Sequence, residues 1–535
     1  MATPVKESGG AFLKAAGVIS ALTMASRVLG LVREQVFAAF LGAGSYADAF
    51  QVAFRIPNLL RDLFAEGALS AAFVPTYTRE MKEGGRERAH QLASRLLSVL
   101  AAVLGVIVVL GLVFTRPLVE FLAPGFDPSK MDTTIRLTRI MLPFLPLVSF
   151  AALAMGMLNA QGRFGIPAAA PAMFNVVSIA WAAGLWAMGF GPAQVAVGWA
   201  IGTVLGGAAQ LLIQVPPLWR EGWRYRPEWK PGDPGIRAIG RLMAPATVGL
   251  AAVEVNILVN TIFASHEDGA VAWLSYAFRI LYLPIGIFGV AVGTVTTTGL
   301  SRRAAEGDTE GLRETLRRGL AAVAFLSIPA TVGLIVLRIP IVRLLFERGR
   351  FDASDTVHTA TALMMYSIGL VAYTGVKVLA PAFYATGRPR VPLLASVSAV
   401  ITNLLVVATL HSALGYRAIA LGTALGSLLN AFVLIGVFQR RVGGLTTRDL
   451  GWAVLKMIAA AALMGGAALL TLQGTEAFFG HRGLVAQLVT GLVPVAVGGA
   501  VYAVAAHLMH VDEARTIGAG LARRLRRPKV GGRED

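Results

Sequence analysis

Three observations make this 535-residue chain an all-α polytopic membrane protein of about fourteen transmembrane helices. It is 56% hydrophobic and only 15% charged, with a mean hydropathy of +0.66. Apolar runs close to the ~20 residues that cross a bilayer recur along it. Its second half also repeats the first at a nearly constant offset. The ten-residue alternating segments of an outer-membrane barrel are not seen. With zero cysteines, disulfides and cysteine metal sites are excluded.

Taken in order, the apolar runs predict spans at about 12–42, 46–77, 88–115, 133–160, 168–190, 193–218, 235–264, 270–300, 312–337, 357–385, 391–411, 417–438, 450–472 and 484–508. The first run follows Lys6 and Lys14 but continues past Arg33, without the short core and cleavage site of a signal peptide. It is expected to be retained as the first span.

The repeat is carried by four matches in the same order. Ala53-Phe54-Arg55-Ile56 returns as Ala277-Phe278-Arg279-Ile280, at an offset of 224, and RPLVEFLAPGFD from Arg116 parallels IPIVRLLFERGRFD from Ile339. AQGRFGIP from Ala160 parallels ATGRPRVP from Ala385, and IGTVLG from Ile201 parallels LGTALG from Leu421. Together they argue for a duplicated six-span unit, with lobes at 1–220 and 221–445, two additional helices over 446–510 and a basic tail over 511–535. Six is even, so the copies share one orientation, as in parallel-repeat transporters.

A net charge of +18 would suggest nucleic acid in a soluble chain. Here it reads as topology. Arginine and lysine crowd the connections after even-numbered spans (Arg79, Lys82, Arg86; Arg220, Arg224, Arg226, Lys230) and the tail, whereas LGAGSYAD, FGPAQ and ASHEDGA carry neither. By the positive-inside rule both termini are cytoplasmic, and no nucleic-acid partner is expected.

The most informative stretch is Ala25–Tyr77, which holds Arg27, Arg33, Glu34, Asp48, Arg55, Arg61, Asp62 and Glu66 inside spans. Charge at membrane depth costs roughly 2.5 kcal/mol or more per residue on insertion scales, so such groups face a bundle interior or a watery cavity. Local ion pairing near helix ends is the plainer reading. The arginine surplus favours a cavity for an anionic substrate. Prolines such as Pro57 and Pro284 remove backbone donors and permit kinks near these arginines.

No catalytic signature is present. The chain has neither a G-x-x-x-x-G-K-[ST] loop nor an H-E-x-x-H helix, and its seven histidines are scattered. It reads as a transporter and not an enzyme.

SRVLGLVRE, DAFQVAFRIPNLLRDLFAEGALSAAFVP, LLFERGRFD and KVLAPAFYATGRP together resemble the MurJ (MviN) lipid II flippases of bacterial cell-wall synthesis, and the resemblance runs over all fourteen spans. It implies the fold of the multidrug/oligosaccharidyl-lipid/polysaccharide exporter superfamily, with two C-terminal helices bordering a groove for the lipid tail. It further implies that the chain flips lipid II, an undecaprenyl-pyrophosphate-linked disaccharide-peptide, across the bacterial inner membrane by alternating access. The substrate-binding residues it implies are Arg27, Arg33, Arg61 and Arg279, with Glu34, Asp48, Asn58 and Glu66. Arg55 and Lys377 are left open. Glu34 stands where many members have Asp, and Phe278 where many have Asp before Arg279, which removes that acid as an ion partner. Some relatives bind sodium; Asn260, Asn403 and Thr423 are the polar candidates here, but Val407 stands where an acidic ligand is expected. No cofactor is expected. The drive is membrane potential, an ion gradient or consumption of the flipped product. Membrane lipids and cell-wall synthesis enzymes are the implied partners. Export of another polyprenyl-linked glycan or of drugs, and a non-transporting scaffold role in cell-wall synthesis, are the alternatives.

Overall fold

The computed structural model describes the backbone of residues 9–62, 68–445, 447–481 and 483–515. The candidate Glu66 lies outside the described residues. Among the described residues the architecture is helical throughout, with no strand. The first half contains α1 (Gly9–Leu41), α2 (Ser45–Arg61), α3 (Ala68–Glu83), α4 (Gly85–Val113), α5 (Thr115–Leu122), α6 (Pro128–Met141), α7 (Phe144–Ala160), α8 (Gly165–Ala187), α9 (Pro192–Leu212) and α10 (Val215–Arg220). The second contains α11 (Pro234–Ala264), α12 (Ala270–Pro284), α13 (Val290–Ala305), α14 (Thr309–Val336), α15 (Arg338–Phe346), α16 (Ala353–Ser367), α17 (Leu370–Ala385), α18 (Arg390–Leu414) and α19 (Tyr416–Arg441). A final pair, α20 (Arg448–Phe479) and α21 (Leu484–Leu508), follows.

Among the described residues ten helical segments are long and apolar enough to cross a membrane, and the bent pair α16–α17 makes an eleventh. The three further expected spans, 12–42, 46–77 and 235–264, correspond to α1, to α2 with α3, and to α11. Apart from the turn at Gly42, each is helical over its described residues. The count of fourteen goes beyond the eleven that meet the length and hydropathy of a span.

The sequence repeat is also a repeat of helix boundaries. From α4 to α9 the helices begin at residues 85, 115, 128, 144, 165 and 192; from α14 to α19 they begin at 309, 338, 353, 370, 390 and 416. The differences are 224, 223, 225, 226, 225 and 224. Even the breaks agree: Phe114 separates α4 from α5 at φ −95°, ψ 20°, and Leu337 separates α14 from α15 at φ −99°, ψ 19°. The small-residue motifs work alike in both copies. A Cβ on Gly206 would lie 2.9 Å from the Phe174 carbonyl oxygen and one on Gly426 2.5 Å from that of Ala399, so only glycine lets these backbones meet.

The chain forms two compact units. The first holds residues 1–272 together with Arg348–Asp352, and the second holds Trp273–Glu347 and 353–535. In the first, α1 and α9 pack on α8, α2 on α6, and α3 on α4 and α11. Its core includes Phe73, Tyr77, Leu104, Leu145 and Met157. The linker after α10 runs back along α4: Trp223 Nε1 donates to Ser94 Oγ at 3.3 Å, and Arg95 holds both Glu228 (3.0 Å) and Asp233 (2.6 Å). In the second unit, α17 contacts α13, α14 and α19, while α20 and α21 pack on α14. Tyr502 donates to the Phe325 carbonyl at 2.8 Å within an apolar cluster of Phe325, Ile328, Met457 and Met464.

Candidate functional site

Charged side chains of the first unit are set by α1, α2 and α11. On α1, six residues separate Arg27 from Arg33, so on an ideal helix they stand about 9 Å apart along the axis and about 120° apart around it. Asn175 fixes this helix on α8 by donating to the Ser26 carbonyl at 3.2 Å. Arg33 pairs with Glu34 at 2.7 Å, and its guanidinium lies 5.0 Å from the Phe174 ring centroid. Glu34 itself is buried. Arg27 is exposed, and among the described residues it pairs with no carboxylate. α1 is helical from Gly9 through Gly30 to Leu41.

The last turns of α2 hold a second group. Arg61 binds Asp62 through Nε at 3.1 Å and Nη2 at 2.8 Å, while Asn58 Nδ2 donates to the other Asp62 oxygen at 3.2 Å. One acid thus orients two candidate donors. Arg61 keeps about a quarter of its side chain exposed at 24%. One turn before Asn58, Arg55 donates to Thr261 Oγ1 and, at 3.3 Å, to the Ile257 carbonyl of α11. Its fork is spent partly on neutral acceptors of the fold.

Asp48 sits at the opposite end of α2. Thirteen residues from Arg61 correspond to about 20 Å of helix, so the two do not share one phosphate. Asp48 is fully buried; Lys130 Nζ donates to it at 2.6 Å, and the N–H groups of Gly269 and Ala272 each donate at 2.8 Å. It therefore caps the start of α12 from another helix. Lys130 also binds Asp268 at 2.7 Å, and Ser45 Oγ donates to Asp268 at 3.2 Å.

In the second unit, Arg279 is exposed on α12, one turn before Pro284, where the helix opens into a π turn over Ile285–Gly289. Phe278 beside it packs edge-on against Tyr366 at 5.4 Å. Lys377 is exposed on α17, with its stem over Gly289, where a Cβ would sit 3.4 Å from Lys377 Cγ. Thr423 Oγ1 lies 3.5 Å from Asn403 Oδ1 and donates to the Ile419 carbonyl at 2.8 Å. Val407, fully buried, supplies no ligand oxygen there from its side chain. Asn260 belongs to the first unit. Among the described residues no group of three or more His, Cys, Asp or Glu side chains could hold a metal.

Two groups at this site were not expected. Lys130, the partner of Asp48, looks in the sequence like one more loop cation. Glu254 on α11 is 9% exposed, and its electrostatic neighbours are Asp62, Arg55 and Arg61. A lone acid inside GLAAVEVNILVN is a signal that intramembrane charge makes legible.

The family described as Lipid II flippase MurJ matches residues 37–490. A probable lipid II flippase MurJ of Vibrio cholerae is 37% identical over 468 residues, covering 85% of this chain and 88% of the relative. A lipid II flippase MurJ of Burkholderia cenocepacia is 34% identical over 457 residues, covering 84% and 88%. Among solved structures, one described as lipid II flippase MurJ in an inward closed conformation aligns with a TM-score of 0.77 at 23% identity, covering 92% of this chain and 99% of that one. An inward-facing multidrug resistance MATE family transporter of the MOP superfamily aligns at 0.68 with 19% identity, covering 80% and 98%. These two likenesses concern the fold.

Proposed function

The chain belongs to the lipid II flippase MurJ family, and from that membership we propose that it moves lipid II from the cytoplasmic to the outer leaflet of the bacterial inner membrane by alternating access. The observation that carries the reading is the state of the arginines. Arg27 stands exposed in α1 without a carboxylate among the described residues, while Arg33 and Arg61 are each oriented by a neighbouring acid, Glu34 and Asp62. Guanidinium groups held in this way suit the oxygens of a pyrophosphate, which they grip in pairs.

The cargo's two ends demand different surroundings. A pyrophosphate with a sugar-peptide head cannot enter hydrocarbon without a prohibitive loss of solvation, so the protein supplies a polar, hydrated path for the head. The polyprenyl tail stays in lipid, and α20 with α21 is the pair assigned to it. Arg27, Arg33, Arg61 and Arg279 bind the head group, Asn58 helps orient Arg61 through Asp62, and Asp48 acts by anchoring α2 to the start of α12. Both termini are assigned to the cytoplasm. With no P-loop in the sequence, membrane potential, an ion gradient or product consumption supplies the drive.

Depletion of the protein in its host tests the reading. Lipid II should accumulate facing the cytoplasm and return to its normal distribution on re-expression; unchanged distribution after full depletion would refute it.

A further inference from the structure

The segment that leads from α9 into α11 sorts its charges. Its three acids are spent on the rest of the first unit: Glu221 pairs with Arg86 at 3.3 Å and Arg163 at 2.9 Å, and Arg95 holds Glu228 and Asp233. Its arginines are not spent in this way. Arg220, Arg224, Arg226, Arg237 and Arg241 are all exposed, and among the described residues none of them lies within 4.0 Å of a carboxylate. Three large rings, Trp219, Tyr225 and Trp229, are exposed among them, and the Arg224 guanidinium lies 5.0 Å from the Trp219 ring centroid. The backbone beneath is pinned to α4, because Trp223 donates to Ser94 Oγ, the Glu228 N–H donates to Ser98 Oγ at 3.1 Å, and Tyr225 Oη lies 3.1 Å from the same Ser98 oxygen. Which side chains look outward is therefore fixed by the fold.

The level of this face is set by what flanks it. Pro192–Arg220 has the length and hydropathy of a span, and the large apolar side chains of Leu212 before the segment and Leu242 after it are exposed. The segment thus lies where hydrocarbon gives way to head groups, the zone in which Trp and Tyr rings settle. Guanidinium groups without carboxylate partners at that level complement lipid phosphate, whose oxygens an arginine fork takes in pairs. We propose that the outer face of residues 219–241 is a seat for anionic phospholipid head groups of the leaflet it borders, with the arginines on the phosphates and the three rings at head-group level. A carboxylate on this face would repel the same surface, which accounts for the withdrawal of all three acids. The seat is independent of the cargo.

The test uses the full chain in lipid nanodiscs, with Pro227→Cys, exposed and the single cysteine of the chain, carrying a fluorophore. Quenching by phosphatidylglycerol spin-labelled near its glycerol is compared with quenching by phosphatidylcholine labelled at the same position, without lipid II. Phosphatidylglycerol should quench at an about five-fold lower mole fraction, the effect of roughly one arginine at an anionic surface. Arg220→Gln, Arg224→Gln and Arg226→Gln together should bring the two lipids level. Raising the salt from about 50 mM to about 500 mM, which shortens the screening length about three-fold, should narrow the preference with no substitution at all. Trp229→Ala should weaken quenching by both lipids and leave their ratio unchanged. Equal quenching by the two lipids in the parent, or a preference that survives both the triple substitution and high salt, would overturn the proposal. Quenching by neither lipid would place the face in water, open to a protein partner, and would overturn it too. Displacement of phosphatidylglycerol by one equivalent of lipid II would make the face a cargo site and refute the phospholipid seat, whereas failure of the protein to flip lipid II would leave the quenching series to decide.

Discussion

At the residue scale, what separates a structural arginine from a binding one is what its fork already holds. Arg55 is tied to Thr261 and the Ile257 carbonyl, acceptors that an ammonium also satisfies. Arg27 has no carboxylate among the described residues, and Arg279 is exposed beside the aromatic Phe278. Lys keeps the charge at each position and loses the planar fork. Arg27→Lys and Arg279→Lys should therefore reduce flipping roughly ten-fold or more, the cost of about one charge-assisted hydrogen bond, at normal membrane levels. Arg55→Lys should flip normally. Normal flipping by all three variants would count against phosphate binding. The arginines were legible because charge in an apolar run is conspicuous; their partners were not. Asp62 follows Arg61 directly, but nothing local says that Asn58 shares the same acid or that Lys130 reaches Asp48 across 82 positions.

At the element scale, the repeat could be read almost helix by helix, because duplicated boundaries keep duplicated prolines, glycines and apolar periods. The straps that fasten the helices left no such trace, since they join residues far apart in sequence. One is the segment Arg348–Asp352, where Arg350 N–H donates to the Ala39 carbonyl at the end of α1 at 2.9 Å. Gly349 makes this approach possible: its φ is +60°, and a Cβ there would lie 2.2 Å from the Ala39 oxygen. Gly349→Ala should cost on the order of 1–3 kcal/mol and expose 348–352 to protease. Undiminished thermal stability with unchanged cleavage would show that the contact does not matter. The other strap is the linker on α4. Hydrogen bonds from Arg95 and then Lys230 hold the Glu228 carboxyl down at about 2, against an ordinary 4.5. A depressed carboxyl contributes stability above its unfolded value, and that contribution is lost as pH falls from about 4.5 toward about 2. Hydrogen exchange across 222–233 should accelerate in that window in the parent and show no such step in Glu228→Gln. A linker equally protected at both ends of the window would exclude this pairing.

At the scale of the whole molecule, function follows from parity and from where the cations lie. A duplicated unit with an even number of spans keeps the orientation of its copies, and a further helical pair returns the chain to the side it left. On the fourteen-span reading both termini share a side with the loops rich in arginine, and the orientation proposed above makes that side the cytoplasm by the positive-inside rule. The segment between α15 and α16, whose Arg348–Asp352 belongs to the first unit, is assigned to the opposite face by the same proposed parity. The cysteine-free chain permits a direct test. Cysteine placed at Ser354, which is exposed at the start of α16, should react with a membrane-impermeant thiol reagent added to cells whose outer barrier alone has been permeabilised. Cysteine in place of Ser301, exposed near the end of α13 beside Arg302 and Arg303, should react only after the inner membrane is opened. The reverse pattern would invert the molecule and place the arginine-rich loops outside, where the cytoplasmic leaflet could not supply the substrate to the side now assigned to uptake.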